Sequence, residues 1–99
     1  VEFMPSNEWN EPNYWLSSMT LKGEVRPIDI MESLEENNIE SRPVWKPMHM
    51  QPFFRKYDFV GTDVSEKLFE NGVCLPSDTK MTDEDLNRFV EVIKNLWNR

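Results

Sequence analysis

Acidic residues are missing from one stretch of an otherwise acidic chain. Asp and Glu account for 18 of the 99 residues against 11 Lys and Arg, a net charge of −7, yet neither occurs from Ser41 to Tyr57. Other scarcities narrow the field. A single cysteine, Cys74, excludes an internal disulfide framework and fits a reducing, cytoplasmic setting. With one histidine and one thiol, a zinc site lacks ligands. The three glycines, Gly23, Gly61 and Gly72, stand apart at expected turns and helix ends, so no glycine-rich phosphate loop exists. The apolar runs fall far short of the ~20 residues a membrane span needs, and no secretory leader pattern is visible. The negative balance argues against a nucleic-acid binder, which needs a basic face. The chain opens on Val1 instead of Met, which suggests a piece of something longer.

What is present reads as one soluble globular domain over residues 1–99. It is 38% hydrophobic and 29% charged, a balance that supports a core of modest size. A chain of this length buries about 60–70% of the surface it exposes when unfolded. Asn13 to Leu21, "NYWLSSMTL", alternates in a way that predicts a strand with one better-buried face. Pro27 suits the first turn of a helix whose apolar face is Ile30, Met31 and Leu34, and Asn37-Asn38 supplies a left-handed terminus. "IESRPV" predicts a short strand that Pro43 ends or leaves at an edge.

Further on, Asp63 and Glu66 form the pattern of a capping box, Leu68 and Phe69 lie on the helix it opens, and Gly72 stops it. "VCL" is a very short strand closed by Pro76. Thr82 caps a last helix with Asp83, Glu84 and Asp85 in its first turn, where the helix dipole favours acids. Leu86, Phe89, Val90, Ile93, Leu96 and Trp97 follow at helical spacing, predicting a helix from about Asp83 to Asn98 with Leu86, Phe89, Val90 and Ile93 packed on a sheet. The expected fold is therefore α+β. It is a two-layer sandwich of about three mainly antiparallel strands with helices on one face, and a long irregular loop over residues 43–62 in which Pro52 to Arg55 can form one helical turn.

"IESRPVWKPMHMQPFF", followed by "VSEKLFENGVCLPSDTKMTDEDLNRFVEVIK", resembles the C-terminal end of the DegT/DnrJ/StrS sugar aminotransferases. "NYWLSSMTL" resembles the strand that opens the small domain in that family. The likeness covers about residues 12–98, and its most specific parts are the W-K-P-M-H loop and the L-F-x-x-G-x-C-L-P-S turn. It implies a fold-type-I enzyme that uses pyridoxal phosphate (PLP) to move an amino group from an amino-acid donor to a nucleotide-linked keto sugar. It also implies a homodimer, with this chain as the C-terminal domain. In the family the catalytic lysine, the acid facing the pyridine nitrogen and the phosphate cup lie in a larger N-terminal domain. No catalytic or PLP-binding residue is then expected in this chain, and alone it is expected to be inactive. Lys22 and Lys46 do not match the family's lysine motif.

The acid-free stretch 42–57 carries Arg42, Lys46, Arg55 and Lys56, a net +4, while the remaining residues sum to −11. Such a patch concentrates an anion locally in a molecule that repels it elsewhere. Arg offers phosphate a flat fork, Lys a mobile point charge, aromatic rings offer faces to a base or sugar, and prolines limit the entropy lost on binding. The resemblance implies that this loop nears the active site at the dimer interface. His49, Lys46, Gln51 and Arg42 are the candidate substrate-binding residues. Three of them have a plainer role open to them: His49 as a hydrogen-bonded structural residue, Lys46 as a solvated side chain, Arg42 paired with Glu40. The case for Gln51 rests on the resemblance alone. Trp45, Phe53 and Phe54 read as packing residues, and Cys74 as a buried inert thiol. A stand-alone binding or protein-interaction module using the same loop is the alternative.

Overall fold

The computed structural model describes residues 1–98. Four short strands pair antiparallel throughout: β1 (Glu2–Phe3), β2 (Ser17–Thr20), β3 (Arg42–Pro43) and β4 (Gly72–Leu75), in the spatial order β1-β2-β4-β3. Three helices accompany them: α1 (Pro27–Glu36), α2 (Val64–Asn71) and α3 (Asp83–Trp97). The architecture is the expected small α+β domain with an antiparallel sheet, enlarged by a fourth strand. That strand, β1, is two exposed residues long and has no apolar alternation to announce it.

Pleating sends alternate residues of β4 to opposite faces. Val73 and Leu75, with Met19 and Leu21, form one buried cluster with Ile30 and Leu34 of α1 and Phe89 and Leu96 of α3. Ile30, Leu34 and Val73 are fully enclosed, and each such side chain stabilises the fold by roughly 1.5–3 kcal/mol. On the other face, the Cys74 Sγ lies 3.3 Å from the Ser18 hydroxyl, and the thiol is buried.

Local chemistry shortened two expected strands. The N–H of Trp15 donates to the side-chain oxygen of Asn13 at 3.1 Å, and Tyr14 adopts a left-handed φ of 53°. This turn breaks the alternation, so β2 begins only at Ser17. Pro43, which lacks a ladder donor, confines β3 to two residues on the sheet edge. Pro27 does open α1, and Asn38 is left-handed just beyond it, with φ 59°.

The start of α2 departs from expectation. Asp63 occupies the N-cap position but makes no side-chain capping bond; its carboxylate pairs with Lys67 at 3.1 Å, and Glu66 turns to His49. Gly72 ends α2 for a different reason from the one its sequence suggests. Its φ of −101° suits any residue, but a Cβ there would stand 2.4 Å from the Leu68 carbonyl oxygen and 2.5 Å from Val44 Cγ2.

In α3, Thr82 caps as expected. Its hydroxyl accepts from the Asp85 N–H at 3.2 Å, and the Asp85 carboxylate accepts from the Thr82 N–H at 3.1 Å. The buried stripe is rotated relative to the sequence reading. Phe89 and Leu96 are buried and Val90, Val92 and Ile93 partly so, whereas Leu86 and Trp97 are both 45% exposed.

Candidate functional site

The long loop expected over residues 43–62 spans 44–63 between β3 and α2, interrupted by a single 3-10 turn at Met48–Met50. Its shape comes from its own polar groups. The Gln51 N–H donates to the Met48 carbonyl at 3.1 Å, and the N–H groups of Phe54 and Arg55 donate to the Gln51 carbonyl at 2.9 and 3.2 Å, closing the expected turn over Pro52–Arg55. Pro47 is buried and anchors the near end. The aromatic residues cluster among themselves: Phe53 stands edge-on to Phe54 with centroids 5.0 Å apart, and the Lys56 ammonium lies 5.2 Å over the Phe53 ring.

The four candidate residues do not share one pocket. Arg42 and Lys46 line an open cleft of about 930 Å³, together with Trp15, Trp45, Phe69 and Cys74. The two tryptophan rings face it 6.1 Å apart, both largely exposed. Arg42 forms an exposed ion pair with Glu40, the plainer partner available to it. Such surface pairs hold by at most ~1 kcal/mol, so the guanidinium is readily recruited by a stronger anion. Lys46 forms no ion pair among the described residues.

His49 lies in a second, smaller concavity, with Met48, Phe53, Phe54, Tyr57, Asp58 and Phe59. Its ring stacks on Phe59 at 3.8 Å between centroids, tilted 14°, and its Nε2 lies 2.7 Å from Glu66 Oε1. The side chain is 18% exposed. Gln51 lines neither hollow. Its amide nitrogen donates to the Lys46 carbonyl at 3.2 Å, bracing the loop that carries Lys46 and His49. Glu66 and Trp15 escaped the sequence reading because each meets the loop through tertiary contact, and Phe59 because it stacks on His49 from ten positions further along the loop. His49 and Glu66 are 17 positions apart, and no local pattern links them.

The described residues do not fit PLP. They bury no polar or charged residue, so no lysine is enclosed beside an acid as that cofactor requires. All six lysines are exposed: Lys22 pairs with Glu2 at 2.6 Å, Lys67 with Asp63, and Lys56 sits over aromatic rings. No group of three or more metal-ligating side chains occurs among the described residues.

A family model described as the DegT/DnrJ/EryC1/StrS aminotransferase family matches residues 1–94. The chain belongs to this family. Among curated DegT/DnrJ/EryC1/StrS relatives, it is 41% identical to the "Putative pyridoxal phosphate-dependent aminotransferase EpsN" of Bacillus subtilis (strain 168), over 99% of this chain and 26% of that protein. It is 33% identical to the GDP-perosamine synthase of Vibrio cholerae, over 87% of this chain and 24% of that enzyme. A GDP-perosamine synthase of Caulobacter vibrioides (strain ATCC 19089 / CIP 103742 / CB 15) is 31% identical over 68% of this chain and 18% of its own length. The chain thus spans about a quarter of the relatives it matches first. No described helix is long and apolar enough to cross a membrane.

Proposed function

We propose that this chain is the C-terminal small domain of a cytoplasmic, homodimeric aminotransferase that moves an amino group from an amino acid to a nucleotide-linked keto sugar. PLP, held by a larger domain, supplies the electron sink for that transfer. The residues of this chain bind and orient the sugar nucleotide. The observation that carries the proposal is the acid-free stretch 42–57 on a member of an aminotransferase family. It presents Arg42 and Lys46 in one hollow, where Arg88 offsets in part the carboxylates of Glu40, Asp78 and Asp85, and His49 in another. An elongated substrate with a phosphate-rich middle and a sugar end suits two hollows lined from one short stretch of chain, Arg42 to His49. Arg42 and Lys46 meet its diphosphate, the exposed tryptophans offer ring faces, and His49 meets the sugar. Gln51 keeps its carboxamide oxygen free of protein partners among the described residues and braces the turn between the two hollows.

The test separates the two half-reactions of the full-length enzyme by stopped flow. A polar contact to a charged partner is worth ~1.5–3 kcal/mol, so His49→Ala should slow the half-reaction with the nucleotide sugar roughly 10- to 150-fold. The half-reaction with the amino donor, which never meets the sugar, should change far less. Equal losses in both would assign His49 to folding or cofactor placement. No loss in either would make the loop a packing element and refute the proposal.

A further inference from the structure

Glu66, in the first turn of α2, brings Oε1 to 2.7 Å from His49 Nε2. Both groups are partly shielded, with 18% of the His49 and 38% of the Glu66 side chain exposed. A carboxylate oxygen only accepts hydrogen bonds, so Nε2 is the nitrogen that must carry hydrogen for this contact to form. The ring is also held across its face by Phe59, stacked at 3.8 Å. An in-plane bond and a face contact together restrict both the position and the rotation of the imidazole. Nδ1 has no hydrogen-bond partner among the described residues and is not a buried atom.

We infer that Glu66 is a positioning residue. By holding hydrogen on Nε2, it leaves Nδ1 of neutral His49 as a bare acceptor suited to a sugar hydroxyl and unsuited to a phosphate oxygen. The inference rests on the substrate-facing role proposed above for His49. Its chemical content follows from the two ends of the substrate. A hydroxyl can donate to a lone pair, whereas an ionised diphosphate presents only acceptors and would meet Nδ1 lone pair to lone pair. The division of labour follows: the permanently charged Arg42 and the ammonium of Lys46 serve the phosphates, and His49 reads the sugar. Glu66 also ties the 44–63 loop to α2, so the same contact sets where along the substrate the histidine can reach.

Because His49 is the only histidine of the 99 residues, a long-range 15N–1H spectrum of this chain reports one imidazole. The expected spectrum shows hydrogen on Nε2, with an Hε2 resonance protected from solvent exchange. Glu66→Ala loses that protection, and Glu66→Gln, whose amide oxygen still accepts, retains it. In the full-length enzyme, Glu66→Ala should lower kcat/KM for the nucleotide sugar by about 10-fold. The Glu66→Ala/His49→Ala pair should be no slower than His49→Ala alone, since the two act through one imidazole. Hydrogen on Nδ1 in the native chain overturns the inference. So does equal slowing of both half-reactions by Glu66→Ala, the mark of a folding role. Dependence on His49 without dependence on Glu66 overturns this inference alone. A His49→Ala enzyme at full speed with the sugar overturns the proposed function and this inference with it.

Discussion

The clash waiting at position 72 makes a sharp single-residue prediction. A methyl group there must displace the Leu68 carbonyl as well as the Val44 side chain, and the carbonyl belongs to the last turns of α2. Overpacking of this kind costs roughly 1–3 kcal/mol, so Gly72→Ala should lower the denaturant midpoint with little change in slope. Adding Val44→Ala should not restore it, because the backbone oxygen remains. Asp85 supplies a second prediction. Its carboxylate is held below the ordinary 3.8 first by the hydrogen bond from the Thr82 backbone and then by the Thr82 side chain. A group whose value falls on folding lends stability that is complete above its unfolded value and is lost as pH drops through the folded one. Melting curves of native protein and Asp85→Asn should therefore differ most near neutrality and converge as pH falls below the ordinary carboxylate range; a constant gap would mean that ionisation of Asp85 adds nothing. Thr82, Pro27 and Asn38 could be assigned from sequence because each acts on its own backbone or on a residue within three positions. Glu66 could not, since its partner arrives from a loop folded against α2 from elsewhere.

Among the elements, α3 was the most legible and still the most instructive. Six apolar residues at helical spacing defined its length to within a residue, and the Thr82 cap fixed its start. The same residues did not fix which edge of the apolar stripe faces inward. That depends on where α1 and the sheet lie, which rotates burial toward Val92 and away from Leu86. Phe89→Ala should cost ~3–5 kcal/mol, the usual range for emptying a buried aromatic site. Leu86→Ala should stay within about 0.5 kcal/mol, as expected of a substitution made at the surface. Comparable losses from the two variants would put the helix back in the orientation suggested by spacing. The strands were harder to see because two of them are only two residues long, too short to display a period, and an Asn13 side chain ended the pattern before Ser17. For the loop, charge and proline content marked out residues 42–57, but its two hollows also depend on Trp15 and Phe69, which lie outside the loop, and on Phe59, which lies beyond the marked stretch.

The molecule as a whole exposes more than its mass warrants. A compact monomer of 11.8 kDa has about 5,900 Å² of accessible surface, whereas this chain has 8235 Å². Its radius of gyration is 15.5 Å, against about 13 Å for a compact domain of this length. Trp9, Tyr14, Trp15, Trp45 and Phe53 are each at least 66% exposed. The surplus is comparable to a large protein interface, which suits a domain that rests against other parts of an enzyme. The purified 99-residue chain should accordingly bind a hydrophobic dye and sediment faster as concentration rises. A dye-silent monomer across that range would show the surplus to be harmless. The strand order carries a further consequence, this time for how the fold is reached. β4 lies between β2 and β3 in the sheet but follows both in the chain, and Ser17 pairs with Leu75 across most of the sequence. Such pairings require long loops to close before either β4 ladder forms, which slows folding relative to helical domains of equal size. On the ribosome, Met19 is made more than fifty residues before Val73, its partner in β4. Until then the sheet has no centre.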